Sequence, residues 1–126
     1  MKPPTILVAD DDPTILIAIS CRLENAGYRV CTTQDGYQAL AIARREQPDL
    51  MILDIHMPAG SGVSVRQRIE AIDEITAPPV IYITGNEISQ STIDQVEHHG
   101  ARLIRKPFEA GELLANVSEL LALSPV

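Results

Sequence analysis

A chain of 126 residues, 45% of them apolar, is large enough for one folded unit with its own hydrophobic core. Aromatic residues make up only 3%, so that core must be built from Ile, Leu, Val, Ala and Met. A formal net charge of −7 offers no basic stripe to neutralise phosphates, which argues against nucleic-acid binding by this domain itself.

Met1-Lys2-Pro3-Pro4 leads straight into a first strand, Thr5 to Ala9. No signal peptide and no apolar run long enough to span a bilayer is found, so the expectation is a cytoplasmic chain without membrane attachment. Asp10-Asp11-Asp12 follows, and Pro13 suits the first turn of a helix with Asp12 as its N-cap. That helix is expected to run to about Ala26 and to end at Gly27. Its inward stripe reads Ile15, Ile19, Leu23 and Ala26, with Ala18 beside it. Cys21 and Cys31 are too few for a disulfide framework, match no zinc spacing and are expected as reduced thiols.

The second strand is about Tyr28 to Thr33. Asp35-Gly36 turns into a helix, Tyr37 to Glu46, which Pro48 stops. The third strand, Asp49-Leu50-Met51-Ile52-Leu53, is too short for an ordinary helix and closes on Asp54. After the Pro58-Ala59-Gly60-Ser61-Gly62 loop, Val63 to Ile75 reads as a helix with Val65, Ile69 and Ile72 on one face. Pro78-Pro79 precedes a fourth strand, Val80 to Thr84. Ser91 to His99 is a weakly anchored helix with Ile93 and Val96, closed by Gly100. A fifth strand, Ala101 to Arg105, reaches the turn Lys106-Pro107-Phe108. The last helix, Glu109 to Leu123, carries Leu113, Leu114, Val117, Leu120 and Leu121. With no repeat, low-complexity tract or linker, residues 1–126 read as a single domain. The sequon-like Asn116-Val117-Ser118 is expected to be unmodified.

Alternating apolar strands and helices predict an α/β fold, a parallel sheet covered by helices on both faces. In such a sheet the carboxyl ends of all strands share one edge, where ligands bind. Asp10 and Asp11, Asp54, Thr84 and Lys106 all fall at those ends. Three carboxylates together repel one another, and a divalent cation resolves this. Oxygen ligands without clustered His or Cys favour magnesium over zinc, with manganese able to take its place. A lysine and a hydroxyl beside such a site suggest a phosphoryl ligand.

The chain resembles the receiver domain of bacterial two-component response regulators, the chemotaxis regulator among them. The residues that carry the resemblance are Asp10-Asp11, Asp54 with His56-Met57-Pro58 and Gly62, Thr84-Gly85, and Lys106-Pro107-Phe108. The resemblance implies a three-layer, doubly wound, flavodoxin-like fold with strand order 2-1-3-4-5. It implies that Asp54 is the phosphoacceptor and Asp11 a direct magnesium ligand. Asp10 would act on the metal through water, and the backbone carbonyl of His56 would complete the protein's share. Lys106 would pair with a phosphoryl oxygen, Thr84 would be the switch hydroxyl, and the Lys106-Pro107 bond would be cis. The implied partner is a sensor histidine kinase or histidine phosphotransfer protein, with a homodimer as a further expectation. The implied activity is that of a phosphoacceptor switch that assists its own phosphorylation and dephosphorylation, rather than of an enzyme.

Leu103 stands where the family usually has Tyr or Phe, so the usual aromatic rotamer switch cannot operate. By the same resemblance His56 and Asn86 flank the phosphoryl site and are expected to tune hydrolysis. Ile17 and Cys21 point away from the core stripe of the first helix, as a docking patch for a phosphodonor or a dimer contact would. Two other classes compete. A magnesium-dependent small-molecule phosphatase or phosphotransferase could use the same residues but would need turnover of a phosphate ester. A flavodoxin-like binding module would need a phosphate-binding loop where Asp10-Asp11-Asp12 stands.

Overall fold

The computed structural model describes residues 2–72, 77–85, 88–98 and 100–123. Among them five strands alternate with five helices: β1 (Thr5–Ala9), α1 (Pro13–Asn25), β2 (Arg29–Thr33), α2 (Gly36–Glu46), β3 (Leu50–Asp54), α3 (Gly62–Glu70), β4 (Val80–Thr84), α4 (Gln90–His98), β5 (Arg102–Arg105) and α5 (Ala110–Leu123). All neighbouring strands pair in parallel, in the order β2-β1-β3-β4-β5. The three central strands are apolar and almost wholly buried because helices cover both their faces.

The pleat sorts side chains into two cores. Ile6, Val8, Ile52, Ile81 and Ile83 face α1 and α5, meeting Ile19, Leu23, Leu113 and Val117. Leu7, Met51, Leu53 and Tyr82 face the opposite layer, meeting Ala39 and Ala43 of α2, Val65 and Ile69 of α3, and Val96 of α4. No described helix is long and apolar enough to cross a membrane. Both cysteines are free thiols.

Helix ends follow the expected chemistry. The Asp12 carboxylate accepts from the Thr14 N–H (2.9 Å), and Pro13 opens α1. At the other end Gly27, at φ +97, lets Tyr28 N–H reach the Leu23 carbonyl (3.1 Å) and its own N–H reach that of Glu24 (3.0 Å).

Two expectations need correction. The buried residues of α1 are Leu16, Ile19 and Leu23, while Ile15 is half-buried and Ala18 and Ala26 are exposed. Helix α1 lies over β2 as well as against α5, so Leu16 is drawn in toward the sheet edge, and Ala26 is already the C-cap. The α3 helix ends at Glu70, not Ile75, as Ile72 N–H closes a three-residue turn onto the Ile69 carbonyl. Ile75 and His99 lie outside the described residues. Elsewhere ends move by one residue: β2 begins at Arg29, α2 at Gly36, α4 at Gln90, β5 at Arg102 and α5 at Ala110.

Candidate metal centre

The carboxyl ends of β1, β3, β4 and β5 meet on one edge of the sheet. Asp10 follows β1 and is fully buried, held by its N–H to the Thr33 carbonyl (3.1 Å). Its Oδ1 accepts from the Asp12 N–H (2.9 Å). Its Oδ2 lies 2.8 Å from Nζ of Lys106, an ion-pair distance, yet forms no well-aligned hydrogen bond. Asp54 ends β3 and is only 4% exposed. Its Oδ1 accepts from the His56 N–H (3.0 Å), and its Oδ2 is 3.4 Å from Lys106 Nζ. Lys106 is placed by its own N–H, which donates to the Thr84 carbonyl at 2.8 Å, and the Lys106-Pro107 bond is cis.

Carboxylate oxygens of Asp10, Asp11 and Asp54 all lie within 4.8 Å of one another. Asp11 is exposed, so the cluster opens to solvent. The opening is a cavity of about 440 Å³ lined by Asp11, Asp12, Pro13, Asp54, His56, Gly85 and Lys106. A second cleft of about 220 Å³, between α1 and the start of α5, is apolar and holds no acid.

Electrostatics follow from this packing. Burial raises the pKa of Asp54 above the usual carboxylate value. The His56 N–H works against that shift, the Asp10 charge adds to it and the Lys106 ammonium opposes it. Burial would lower the pKa of Lys106, but its contact with Asp10 and the charge of Asp54 outweigh it, and the net shift is upward. Among the described residues, three carboxylates, one with a buried, poorly satisfied oxygen, face the ammonium of Lys106. An all-oxygen donor set with that excess of negative charge fits a hard divalent cation.

Asp10, Asp11, Asp54 and Lys106 are therefore brought together. The backbone N–H of His56 is bonded to Asp54, and His56, an exposed residue, is among those that line the cavity. Thr84 is buried at the end of β4, and it is Gly85 that lines the cavity. Alternation puts Asp54 on the pleat of Ile52, toward α1 and α5, and Thr84 on the pleat of Tyr82, toward α3 and α4. Leu103 is half-buried in that second layer and pairs in register with Tyr82. Tyr82 is a buried aromatic that the sequence reading passed over. A lone tyrosine in an apolar strand carries no signal of its neighbours. Burial pushes its phenol up to about 12. Asn86 lies outside the described residues.

Residues 6–118 match the family model described as the response regulator receiver domain. The DNA-binding dual master transcriptional regulator RpaA of Synechocystis is 37% identical over 118 residues, covering 94% of this chain and 49% of that protein. Protein PilH of Pseudomonas aeruginosa is 34% identical over 120 residues, covering 93% of this chain and 97% of that protein. The chain thus spans about half the length of RpaA and nearly all of PilH. Among solved structures, a CheY-like receiver domain protein from Methanospirillum hungatei superposes with a TM-score of 0.86 at 27% identity, covering 95% of this chain and 94% of that one. Vibrio cholerae chemotaxis protein CheY4 gives 0.83 at 28%, covering 94% and 98%.

Proposed function

The chain belongs to the response regulator receiver domain family, and from that premise we propose that it accepts a phosphoryl group on Asp54 from the phosphohistidine of a sensor histidine kinase or phosphotransfer protein. The observation that carries the reading is the meeting of Asp54, Asp11 and Lys106 at one solvent-open cavity, with the buried Asp10 against Lys106 behind it. Asp10, Asp11, Asp54 and the backbone carbonyl of His56 would hold magnesium, or manganese in its place. When bound, that cation supplies positive charge against the phosphoryl oxygens and the clustered carboxylates.

A carboxylate oxygen of Asp54 attacks phosphorus, the P–N bond of the donor breaks, and an acyl phosphate forms. The Lys106 ammonium turns from Asp10 and Asp54 to a phosphoryl oxygen, trading one anionic partner for another. Thr84 supplies the hydroxyl that moves toward the new group. That movement biases an existing equilibrium in the surface of α4, β5 and α5, which recruits a partner, a second copy or an output module. The part played by a switch aromatic falls away with Leu103, and Tyr82, paired with it, is the ring in that layer. His56, on the cavity wall, tunes the attack of water. The protein is a stoichiometric switch of the cytoplasm that assists its own modification and loses it by hydrolysis.

Incubation with acetyl phosphate and magnesium, followed by intact mass, tests this. Wild type gains one phosphoryl group and Asp54→Asn gains none; modification that survives the substitution sinks the assignment, and steady turnover of a phosphate ester would favour a phosphatase. The outer face of α1, where Ile17 is 66% exposed and Cys21 is exposed, is where we place contact with the phosphohistidine donor. Ile17→Lys is expected to slow transfer from the donor protein at least fivefold while leaving the acetyl phosphate reaction unchanged. Equal rates in both assays would make that face idle.

A further inference from the structure

The site needs more than its side chains: the turn that follows Asp54 has to be held in place. That turn, residues Ile55 to Ser61, carries the His56 N–H bonded to Asp54 Oδ1. Its path is irregular. Ala59 has φ +58 and Gly60 has φ +126. A residue with a Cβ enters the left-handed region at a cost, and such a conformation persists only where its surroundings impose it.

Two backbone contacts impose it. Gly62, the first residue of α3, donates its N–H to the Ile55 carbonyl (3.3 Å), and a Cβ there would stand 2.6 Å from the Asp54 carbonyl oxygen. From the other side comes Gly36, the first residue of α2. Its N–H donates to the Pro58 carbonyl at 3.1 Å. A Cβ on Gly36 would meet the Gly60 carbonyl oxygen at 2.1 Å and its carbonyl carbon at 2.8 Å. Those are backbone atoms, so no side chain can swing aside to relieve the clash. Gly36 is buried and is not among the glycines with positive φ, so its own conformation does not demand glycine. The demand comes from the neighbouring turn. Asp35 fixes the approach, since its carboxylate accepts from the Gln38 N–H (2.7 Å) and caps α2.

We propose that Gly36 is a positioning residue for the metal and phosphoryl site, acting through Pro58 and Gly60 on the turn that presents His56 to Asp54. Gly36 is not among the residues lining the cavity. It sets the place of a backbone segment that supplies one hydrogen bond to the acceptor and, on the function proposed above, one metal-ligand position. A displacement of this turn misplaces the His56 carbonyl while leaving all three carboxylates in the chain.

The test compares wild type with Gly36→Ala, and with Ala41→Gly as a control that weakens α2 at an exposed position. Two quantities are read: the His56 amide proton resonance without metal and the magnesium dissociation constant by calorimetry. Gly36→Ala is expected to shift the His56 resonance upfield, as a weakened hydrogen bond does, and to raise the magnesium dissociation constant about tenfold, the loss of one well-placed contact. The control should change neither. A folded Gly36→Ala protein with the wild-type His56 resonance and a dissociation constant within twofold of wild type overturns the proposal, as does a control that reproduces both effects. Should Gly36→Ala fail to fold, Asp35→Ala loosens the same turn without adding bulk; it must shift the His56 resonance the same way, and an unmoved resonance refutes the proposal. Wild-type protein that binds no magnesium would defeat the functional reading instead, while the metal-free His56 resonance would still decide the positioning.

Discussion

Lys106 and Asp54 set the energetics of the site at the scale of single residues. Nζ of Lys106 stands 2.8 Å from Asp10 and 3.4 Å from Asp54, so one ammonium is shared between two buried acids. Removing it leaves both carboxylates against each other. Lys106→Met is therefore expected to cost about 1–3 kcal/mol in metal-free buffer, less than a fully buried pair because the lysine is partly exposed. Chelated thermal melts would check this, and an unchanged Tm would contradict it. Asp54 pulls the other way. Its pKa is raised above 3.8, so the folded protein holds the proton more tightly than the unfolded chain does. Stability from this group is full below pH 3.8 and is lost as pH climbs through the raised value. Asp54→Asn, which mimics the neutral acid, should then melt higher than wild type at pH 7.5 in chelator. The gap should close by about pH 3, where both forms are neutral. A gap independent of pH would point to packing instead.

At the scale of elements, what could be read in advance depended on whether the cause was local. Asp12 before Pro13 announces α1, and the carboxylate caps it as expected. Asp12→Ala should lower stability by about 1 kcal/mol, measured by denaturant unfolding with an unchanged slope. The strand ends at Asp10, Asp54, Thr84 and Lys106 were equally legible, because short apolar runs bounded by Pro and Gly have few other readings. The inward face of α1 was not. Which of Ile15 and Leu16 is buried depends on how the helix lies between α5 and β2, and α5 is far away in sequence. The contact of Gly36 with Gly60 was hidden for the same reason. Two glycines 24 positions apart give no sign that their backbones touch. Chemistry placed by strand ends is visible in a sequence, whereas close approach between separate loops is not.

For the whole molecule, the cation proposed for the acidic cavity is a ligand of the folded state alone, since the unfolded chain does not gather Asp10, Asp11 and Asp54. Magnesium at a hundred times its dissociation constant should add about 2.7 kcal/mol. Tm should rise with magnesium, fall back on chelation, and respond little in Asp11→Asn; a variant stabilised as much as wild type would place the ion elsewhere. The pleat adds a consequence of its own. Asp54 and Thr84 belong to opposite layers of the sheet, so a group bonded to one and grasped by the other ties the two layers together at their rim. The molecule then works like a book held open by its spine, β3 and β4, with a clasp at the top edge. On the function proposed above, the group that moves to close the clasp is the Thr84 hydroxyl, so the pull would fall on its own cover, the one that carries α4, rather than on the one that carries α1. A donor docked on α1 would therefore find the same landing ground before and after transfer, while whatever reads the far cover would see it change.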